Sequence, residues 1–419
     1  MKKISLAGLA VVMAAAGIFA FAPIGASAST PPSTTTTGLG LDPKNDPVVY
    51  TTESGLEIKM SNATKYSGTT TTTTNRGYSC TQDLTSFYYF TMGEFSGTIY
   101  TGASTTATYS VSNEPVNWII LGLGENTAYF LDEVAKNLFS TWKDNNIAYA
   151  NSNGASGSYF FSEIYETYSP AGQLIDSVIS PKTYIMDKVA ASIPVNDEIP
   201  EGCMLVLSEK LLGNMYFNSS GVINKTTYTG YNISYSILSG EYYYGNRYRF
   251  IASNNTGTGN STSTWNTSSN AGGSLYNYIN NLFSKNVSGT ILKNSLGFTQ
   301  SQADLIVPQQ LYTYYFNGSS RLQETPSTDG GTYYSMFPLA SRVNSTAIYQ
   351  NFCIEDYLTT ASQRIASLID SNQPQLYHSR SGGKQAFSIE MVLPTGVTEA
   401  SGGLNRSDGV RPAMVMKLQ

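Results

Sequence analysis

The sequence predicts an α+β fold, a compact mixed body with irregular loops preceded by a β-rich N-terminal part. Two short apolar runs, Val116–Gly122 and Cys203–Leu207, have the length and composition of buried strands. Two longer segments, 130–143 and 354–370, place apolar residues at helical spacing. The segment Leu376–Leu418 holds two apolar-alternating runs separated by glycines, which predicts further strands.

The N-terminus has the three parts of a secretory signal peptide. Lys2 and Lys3 supply positive charge, Leu6–Ala22 is apolar, and Ala26–Ala28 forms a small-residue cleavage site. The apolar segment is short for a stable membrane span. We therefore expect residues 1–28 to be a cleaved signal peptide and the protein to be extracellular or cell wall-associated in a bacterium.

The mature chain is expected to begin at Ser29 and to divide into three parts. Residues 29–44 are rich in Thr, Pro, Ser and Gly and predict a disordered leader. Residues 45–112 alternate in strand fashion and predict a β-rich N-terminal part. Residues 113–419 then form the C-terminal α+β domain.

Composition excludes several classes of function. Charged residues make up 13% of the chain, and 24 basic against 29 acidic residues leave a net charge of −5. This balance gives no electrostatic basis for binding nucleic acid or an anionic membrane. After the signal peptide no apolar stretch is long enough for a transmembrane anchor. The 31 tyrosines and abundant Ser, Thr, Asn and Gly are typical of an uncharged polar surface on a secreted β-rich protein.

Few residues suit metal or redox chemistry. There are three cysteines, Cys80, Cys203 and Cys353, and His378 is the one histidine. Cys203 lies in an apolar run and is expected to be a small buried hydrophobe, whereas Cys80 and Cys353 could pair or all three could be free. Since no metal-ligand spacing is present, we expect no metal and no cofactor.

Local patterns also predict secondary structure elsewhere. Residues 158–168 and 174–179 suggest a second helical region, and Leu275–Phe283 a short aromatic helix. The likeness of 159–168 to 275–283 suggests a degenerate internal repeat. Gly93 and Gly97 are expected to supply turns between strands.

The succession of motifs resembles an uncharacterised bacterial extracellular domain family whose members end in a Gly-Val-Arg-Pro-Ala strand. The resemblance covers about residues 90–418, and the pieces that carry it are Val116–Leu121, Leu205–Ser208, Arg380–Ser381 and Gly409–Ala413. The chain departs from that pattern at Tyr377 and His378, where the family usually has tryptophans, and at Asp304–Pro308.

That family is distantly similar to the C-type-lectin-like fold of formylglycine-generating enzymes. The resemblance implies a compact mixed fold with irregular loops and a C-terminal strand that returns to the core. The chemistry of those enzymes does not carry over, because it needs C-terminal cysteines and none follows Cys353 here. The Glu-Pro-Asn triplet of calcium-dependent sugar-binding lectins is also absent.

Several residues are expected to have structural roles. Pro412 holds Arg411 extended, so its guanidinium has a fixed direction and should bind a carboxylate or backbone carbonyls inside the protein; the alternative is an exposed arginine that binds a ligand. Trp118 should be a core residue with its indole N–H bonded. Arg380 and Ser381 are structural by the same resemblance, and His378 is expected to pack rather than to act as a catalytic base.

The cluster Tyr242–Phe250 is the candidate binding surface that stands out in the sequence. Tyrosines in a Gly/Asn-rich loop offer flat amphipathic faces to a sugar or a partner protein. Consecutive residues of an extended segment point to alternate sides, so Tyr242 and Tyr244 are the expected binding pair. The alternative is that these rings cover the protein's own core.

Three functions remain open from the sequence. The favoured one is a non-catalytic surface protein that binds a glycan or a surface protein through loop aromatics. The second is a structural subunit of a surface layer or filament that self-assembles through β-strands. The third is an extracellular polysaccharide hydrolase. The adjacent pairs Asp132/Glu133, Asp197/Glu198 and Glu355/Asp356 do not make ready acid–base pairs, because neighbouring side chains diverge.

Overall fold

Strands dominate the structure of this chain. The computed structural model describes residues 41–61, 69–71, 77–79, 87–100, 108–131, 133–134, 137, 157–161, 164–168, 174–177, 193–216, 274–316, 321–324, 332–342, 349–382, 388–403 and 407–419. This part of the chain is mostly β-sheet with few helices, which confirms the mixed, β-rich class. The described residues all lie in one compact unit that covers 36–419.

The strands follow one another in three groups along the chain. The first group is β1 (Val48–Thr51), β2 (Glu57–Met60), β3 (Thr69–Thr71), β4 (Gly77–Ser79), β5 (Tyr88–Tyr100), β6 (Thr108–Leu123), β7 (Gly157–Phe161), β8 (Ile164–Tyr168) and β9 (Leu174–Ser177). The second is β10 (Cys203–Ser208), β11 (Asn214–Tyr216), β12 (Phe283–Lys285), β13 (Ile291–Asn294), β14 (Thr313–Phe316), β15 (Arg321–Glu324) and β16 (Phe337–Pro338). The third is β17 (Tyr377–Gly382), β18 (Ser388–Val392), β19 (Thr398–Gly403), β20 (Ser407–Gly409) and β21 (Pro412–Lys417).

Helices connect or cover these strands. The described residues of the first helix, α1, are 128–131, 133–134 and 137. The other helices among the described residues are α2 (Ser274–Leu282), α3 (Gln300–Leu305), α4 (Ile354–Tyr357) and α5 (Ala361–Arg364). The predicted helix at 130–143 is therefore present where it is described, with Phe130 and Val134 fully buried. The predicted aromatic helix at 275–283 matches α2.

A seven-stranded sheet forms the centre of the fold, in the order β1-β2-β5-β6-β10-β21-β16, with every neighbouring pair antiparallel. All six residues of β10 are buried. Its continuous apolar sequence follows from this, because a strand covered on both faces has no need of polar alternation. Leu205 pairs with Gly122 on one side and with Val415 on the other.

A second sheet of five strands, β11-β20-β17-β18-β19, lies next in sequence to the C-terminal strand of the first. Its β17–β20 pair is parallel, and its other pairs are antiparallel. The chain passes from β20 to β21 through Val410 and Arg411, so the arginine stands where the two sheets join. Arg380 N–H also donates to Leu339 O, directly after β16.

The predicted boundary between an N-terminal part and a C-terminal domain falls inside β6. Residues before and after position 112 therefore form one continuous strand, and that strand pairs with both β5 and β10. The central sheet takes strands from both predicted parts.

The predicted helical region at 158–168 and 174–179 is wrong where it is described. Residues 157–177 contribute β7, β8 and β9, which form a three-stranded antiparallel sheet. The sequence Tyr159-Phe-Phe161 and Ile164-Tyr165 is rich in aromatic and β-branched residues, which favour strands over helix. Since α2 is a helix and β7–β8 a hairpin, the two segments are not copies of a repeat.

The predicted helix at 354–370 is also wrong as a single element. It consists of the one-turn helices α4 and α5, and residues after Arg364 leave the helical path. Thr360 begins α5 with a capping box formed with Gln363, which interrupts the earlier helix. Ser367 O then accepts from Leu211 N, so pairing with the strand region replaces helical hydrogen bonds.

Gly93 and Gly97 lie within β5 rather than in turns. The register between β5 and β6 shifts beside each of them, as in a β-bulge. Gly93 has a φ of +74°, and Leu296 O lies 2.8 Å from where a Cβ would stand. Both the backbone angle and the close approach of Leu296 therefore require glycine at this position.

Candidate functional site

The tyrosine pair proposed from the sequence lies outside the described residues. Tyr242 and Tyr244 fall in the stretch 217–273, about which the structure gives no account. The other predicted site residues are all placed by the structure.

Arg411 lies at the junction of the two sheets, 1% exposed. Its Nε donates to Ser208 O at 2.9 Å, Nη2 to Glu209 O at 3.1 Å, and Nη1 to Arg364 O at 3.2 Å. Nη1 also donates to the Tyr377 hydroxyl at 3.1 Å. The guanidinium therefore binds backbone carbonyls from several elements, while Pro412 begins β21 behind it.

Trp118 and His378 both lie in the interior. Trp118 is fully buried on β6, and its Nε1–H donates to Met92 O at 2.9 Å. His378 is 2% exposed on β17, and its Nε2 lies 2.8 Å from Met215 O. A histidine held in this way packs against β11 and is not presented to a substrate.

Arg380 is a second buried arginine, with 0% exposure. Its Nη1 donates to Pro338 O at 2.9 Å, and its Nη2 to Asn351 Oδ1 at 2.9 Å and to Asn351 O. Its guanidinium also lies 5.7 Å from the centre of the Phe337 ring. Burial lowers the pKa of Arg380 to about 10, so it stays charged at neutral pH.

The neighbouring Ser381 belongs to a buried polar network. Its hydroxyl donates to Gln350 Oε1 at 2.7 Å and accepts from Ser341 N at 2.8 Å. Gln350 in turn donates to Ser341 O at 2.8 Å. Together Arg380 and Ser381 fix the segment 349–353 through hydrogen bonds to Asn351 and Gln350.

The front of that segment presents an exposed tyrosine. Tyr349 is 51% exposed, and its ring meets Tyr312 edge to face, with 5.3 Å between the ring centres. Tyr312 is positioned by Asn351, which accepts from Tyr312 N at 3.0 Å. An exposed ring braced by a second ring is a ready surface for stacking.

Glu198 lies beside this tyrosine pair. Its Oε2 accepts from Phe352 N at 2.9 Å and from the Tyr357 hydroxyl at 3.5 Å. Asn196 donates to the same Tyr357 hydroxyl at 3.1 Å, and it also accepts from Glu198 N at 2.9 Å. Burial, and then the Glu198 charge, raise the pKa of Tyr349 to about 12.

Phe352 adopts a strained backbone to make its contact with Glu198. Its φ of +53° is unusual for a bulky residue, and such strain concentrates at functional sites. Its ring stacks on Phe337 at 5.2 Å, and Phe337 lies against Arg380. The buried arginine and these two rings therefore support the conformation that aims Phe352 N–H at Glu198.

A partly exposed ion pair borders the same region. Arg342 Nη2 lies 2.7 Å from Asp356 Oδ2, with 44% and 26% of the two side chains exposed. Glu355 accepts from Ser341 Oγ at 2.9 Å and from Arg342 N at 3.1 Å. Burial raises the pKa of Asp356, although Arg342 opposes the shift.

We call this surface the Tyr349 face and define it by Tyr312, Tyr349, Asn196, Glu198, Tyr357, Arg342 and Asp356. It combines an aromatic platform with carboxylate, amide, hydroxyl and guanidinium groups. The adjacent pairs Asp197/Glu198 and Glu355/Asp356 each send a member here, so carboxylates distant in sequence do meet. Glu198, Glu355 and Asp356 each already bind a protein donor, which fits positioning roles.

Sequence reasoning missed the Tyr349 face. Its residues come from four separate segments, and none of them stands in a motif. No sequence spacing links Tyr312 to Tyr349, so no local signal singles out this pair.

The two described cysteines are free and buried. Pairing of Cys353 with Cys80, one of the open alternatives, is therefore not present. Burial raises the pKa of Cys353 to about 12, and its thiol donates to Gln350 O at 3.4 Å. A protonated, enclosed thiol is a poor nucleophile.

In a Cys80→Ser background, we therefore expect no reaction of the folded protein with Ellman's reagent at pH 8, and reaction of two thiols in guanidinium chloride. Because the unfolded chain ionises Cys353 near its ordinary pKa of about 9, this thiol's contribution to stability should be lost as pH rises from there towards about 12. Rapid labelling of the native protein would contradict the enclosed thiol.

Within the described residues, no group of three or more His, Cys, Asp or Glu side chains is placed to hold a metal ion. No described helix is long and apolar enough to cross a membrane.

Comparisons with known proteins add no relative. No family model, no curated protein and no solved structure matches the chain.

Proposed function

We propose that this protein is a secreted or cell-surface, non-catalytic bacterial protein that binds a glycan on the Tyr349 face. The observation that carries the proposal is the half-exposed Tyr349 ring, braced by Tyr312 and bordered by the fixed carboxylate of Glu198. Sugar rings present an apolar face and a rim of hydroxyl groups. An aromatic platform beside oriented polar groups complements both features.

Preorganisation supports this use of the face. Glu198 is held by Phe352 N–H, and Asn196 is held by the Tyr357 hydroxyl and Glu198 N–H. These side chains lose little conformational entropy when a ligand binds, because hydrogen bonds already hold them in position. The strained φ of Phe352 and the buried Arg380 behind it maintain that arrangement.

For the fold, we propose a C-type-lectin-like body. The support is the Gly-Val-Arg-Pro-Ala resemblance together with the position of β21, a C-terminal strand that lies between β10 and β16 within the core. The signal-like N-terminus supports secretion. The tyrosine cluster at Tyr242 and Tyr244 remains a proposed second contribution to binding.

Self-assembly through sheet edges is the alternative that the geometry supports less. At one edge of the seven-stranded sheet, Asn137 Nδ2 donates to Val49 O at 2.7 Å. At the other edge, Pro338 has no N–H, and its carbonyl accepts from Arg380. One carbonyl on each of these edge strands is therefore occupied by a side chain, which makes the edges poorer templates for a second copy.

A polysaccharide hydrolase is favoured by one observation, the raised pKa of Asp356. A general acid needs a raised pKa, but Asp356 is also 2.7 Å from Arg342, which favours its ionised form. We expect no sugar reducing ends to be released when the mature protein is incubated with polysaccharides that it binds.

Replacing Tyr349 with alanine is expected to weaken glycan binding at least about fivefold, because an exposed aromatic anchor typically accounts for more than about 1 kcal/mol. Affinity electrophoresis of the mature chain in native gels containing soluble polysaccharides would measure the change. Tyr333→Ala is the matched control, since Tyr333 is 47% exposed and outside the Tyr349 face. Equal retardation of the two variants, or none for the unaltered protein with any polysaccharide, would reject the proposal.

A further inference from the structure

A groove away from the Tyr349 face is lined by residues of the central sheet and of the segment before β1. Its volume is about 480 Å³, within the range of small-ligand sites. The walls are mainly apolar and include Leu41, Pro115, Val116, Leu212 and Ile369. We call it the Glu209 groove, after the carboxylate on its wall.

One of the two carboxylate oxygens of Glu209 is held by a hydrogen bond. Its Oε2 accepts from Asn117 Nδ2 at 2.9 Å, and Asn117 is itself oriented by Thr91, whose hydroxyl donates to Asn117 Oδ1 at 2.8 Å. Within the described chain, Oε1 of Glu209 accepts no hydrogen bond. Burial raises the pKa of Glu209, which indicates that its charge is incompletely compensated.

The cations beside Glu209 have other hydrogen-bond partners. Lys210 Nζ donates to Ile369 O at 3.3 Å and to Ser371 O at 3.2 Å. Arg411 donates to the carbonyls of Ser208, Glu209 and Arg364 and to the Tyr377 hydroxyl. Glu114 and Asp42 add negative charge to the lining, opposed by Lys44 at the exposed rim. The inner part of the groove is thus suited to a cation that arrives with an apolar stem.

We propose that the Glu209 groove binds a lysine side chain of a peptide segment. The four-carbon stem would lie along the apolar walls, and the ammonium group would donate to Glu209 Oε1. No aromatic residue lines the described groove. This favours an aliphatic amine over an amino sugar, for which stacking on a ring would be expected. The inference is independent of glycan binding, since it uses none of the residues of the Tyr349 face.

The test compares peptides that differ in one group. Calorimetry or NMR titration of the mature chain would use acetyl-Gly-Gly-Lys-Gly-Gly-amide and the same peptide with Nε-acetyllysine, norleucine or glutamate at the centre. We expect the lysine peptide to bind at least about tenfold more tightly than the acetylated and norleucine forms, since a charge-assisted hydrogen bond supplies the difference. Equal binding of the four peptides, or no binding of any, would overturn the proposal.

A matched pair of protein variants locates the site. Glu209→Gln keeps an oxygen for Asn117 and nearly the same volume, and should abolish the preference for lysine. Glu125→Gln, at an exposed carboxylate outside the groove, should leave it intact. Circular dichroism of each variant would check that its folding is unchanged. Glucosamine is the remaining arm: tighter binding of glucosamine than of the lysine peptide would replace the peptide with a sugar amine and reject this assignment.

Discussion

Replacing Arg411 with alanine is expected to lower the free energy of unfolding by about 3–5 kcal/mol. The guanidinium of Arg411, a residue 1% exposed, binds the carbonyls of Ser208, Glu209 and Arg364 and the hydroxyl of Tyr377. An unpaired buried acceptor costs about 1–3 kcal/mol, and the truncation removes the guanidinium donors of Ser208 O and Glu209 O, whereas Arg364 O keeps the Tyr377 hydroxyl at 2.8 Å. The structure shows carbonyl acceptors here, so the penalty comes from stranded backbone groups and not from a stranded carboxylate.

Urea denaturation of the mature chain would measure this loss. Arg411→Lys should recover only part of the stability, because one ammonium group cannot reach acceptors on several sides. Arg342→Ala is the matched control: its side chain is 44% exposed, and an exposed ion pair contributes about 0–1 kcal/mol. An Arg411→Ala variant as stable as Arg342→Ala would show that water or rearranged donors replace the guanidinium.

Replacing Arg380 with alanine is expected to cost a similar amount, about 3–5 kcal/mol, and also to weaken binding at the Tyr349 face. Its loss leaves Pro338 O and Asn351 O without this donor and leaves Asn351 Oδ1 with the Tyr312 N–H alone. It also removes the support under Phe337. Because Asn351 positions Tyr312 and the next residue is the strained Phe352, the binding surface should lose its fixed geometry.

Arg380→Met separates the two contributions, since methionine restores much of the packing volume without the hydrogen bonds. We expect it to regain part of the stability but little of the polysaccharide affinity measured by electrophoresis. Stability and binding must be compared at a temperature where every variant is folded. Full affinity in a folded Arg380→Met protein would mean that the Tyr349 face does not depend on the arginine.

The sequence predicted an element correctly where a single requirement, burial of the strand on both faces, determined the composition of a short segment. The strand β10 and the buried half of β6 are covered on both faces, so their composition is almost uniformly apolar and easily recognised. The prediction failed at 354–370, where apolar spacing fits a helix but Thr360 starts a new helix and Leu211 pairs with the residues beyond. In this segment, pairing with Leu211 overrides the local preference for helix. Leu211 is distant in the sequence, so the residues of the segment alone do not indicate this pairing.

The candidate site shows the same division. Arg411 could be assigned a structural role because Pro412 fixes its backbone, which is a local constraint. Tyr349, Glu198 and Arg342 acquire meaning only when the chain brings them together. Glu198 and Phe352, which are hydrogen-bonded at this site, are 154 residues apart in the chain, and such a separation gives no periodic signal in the sequence. The tyrosines of the cluster Tyr242–Tyr244, by contrast, are adjacent in the sequence, so they can be recognised as a candidate site without the structure.

The position of β10 between β6 and β21 has a consequence for the rate of folding. Arg411 and Ser208, which meet where β10 and β21 pair, are 203 residues apart in the chain. Closing so long a loop is slow, because the chain loses conformational entropy before the contacts that stabilise the closed loop can form. Until β21 pairs with it, β10 exposes one unpaired side of a strand that is apolar at every position except Ser208. A partly folded intermediate of this protein is therefore expected to be prone to aggregation at that strand, and its refolding yield should fall as protein concentration rises.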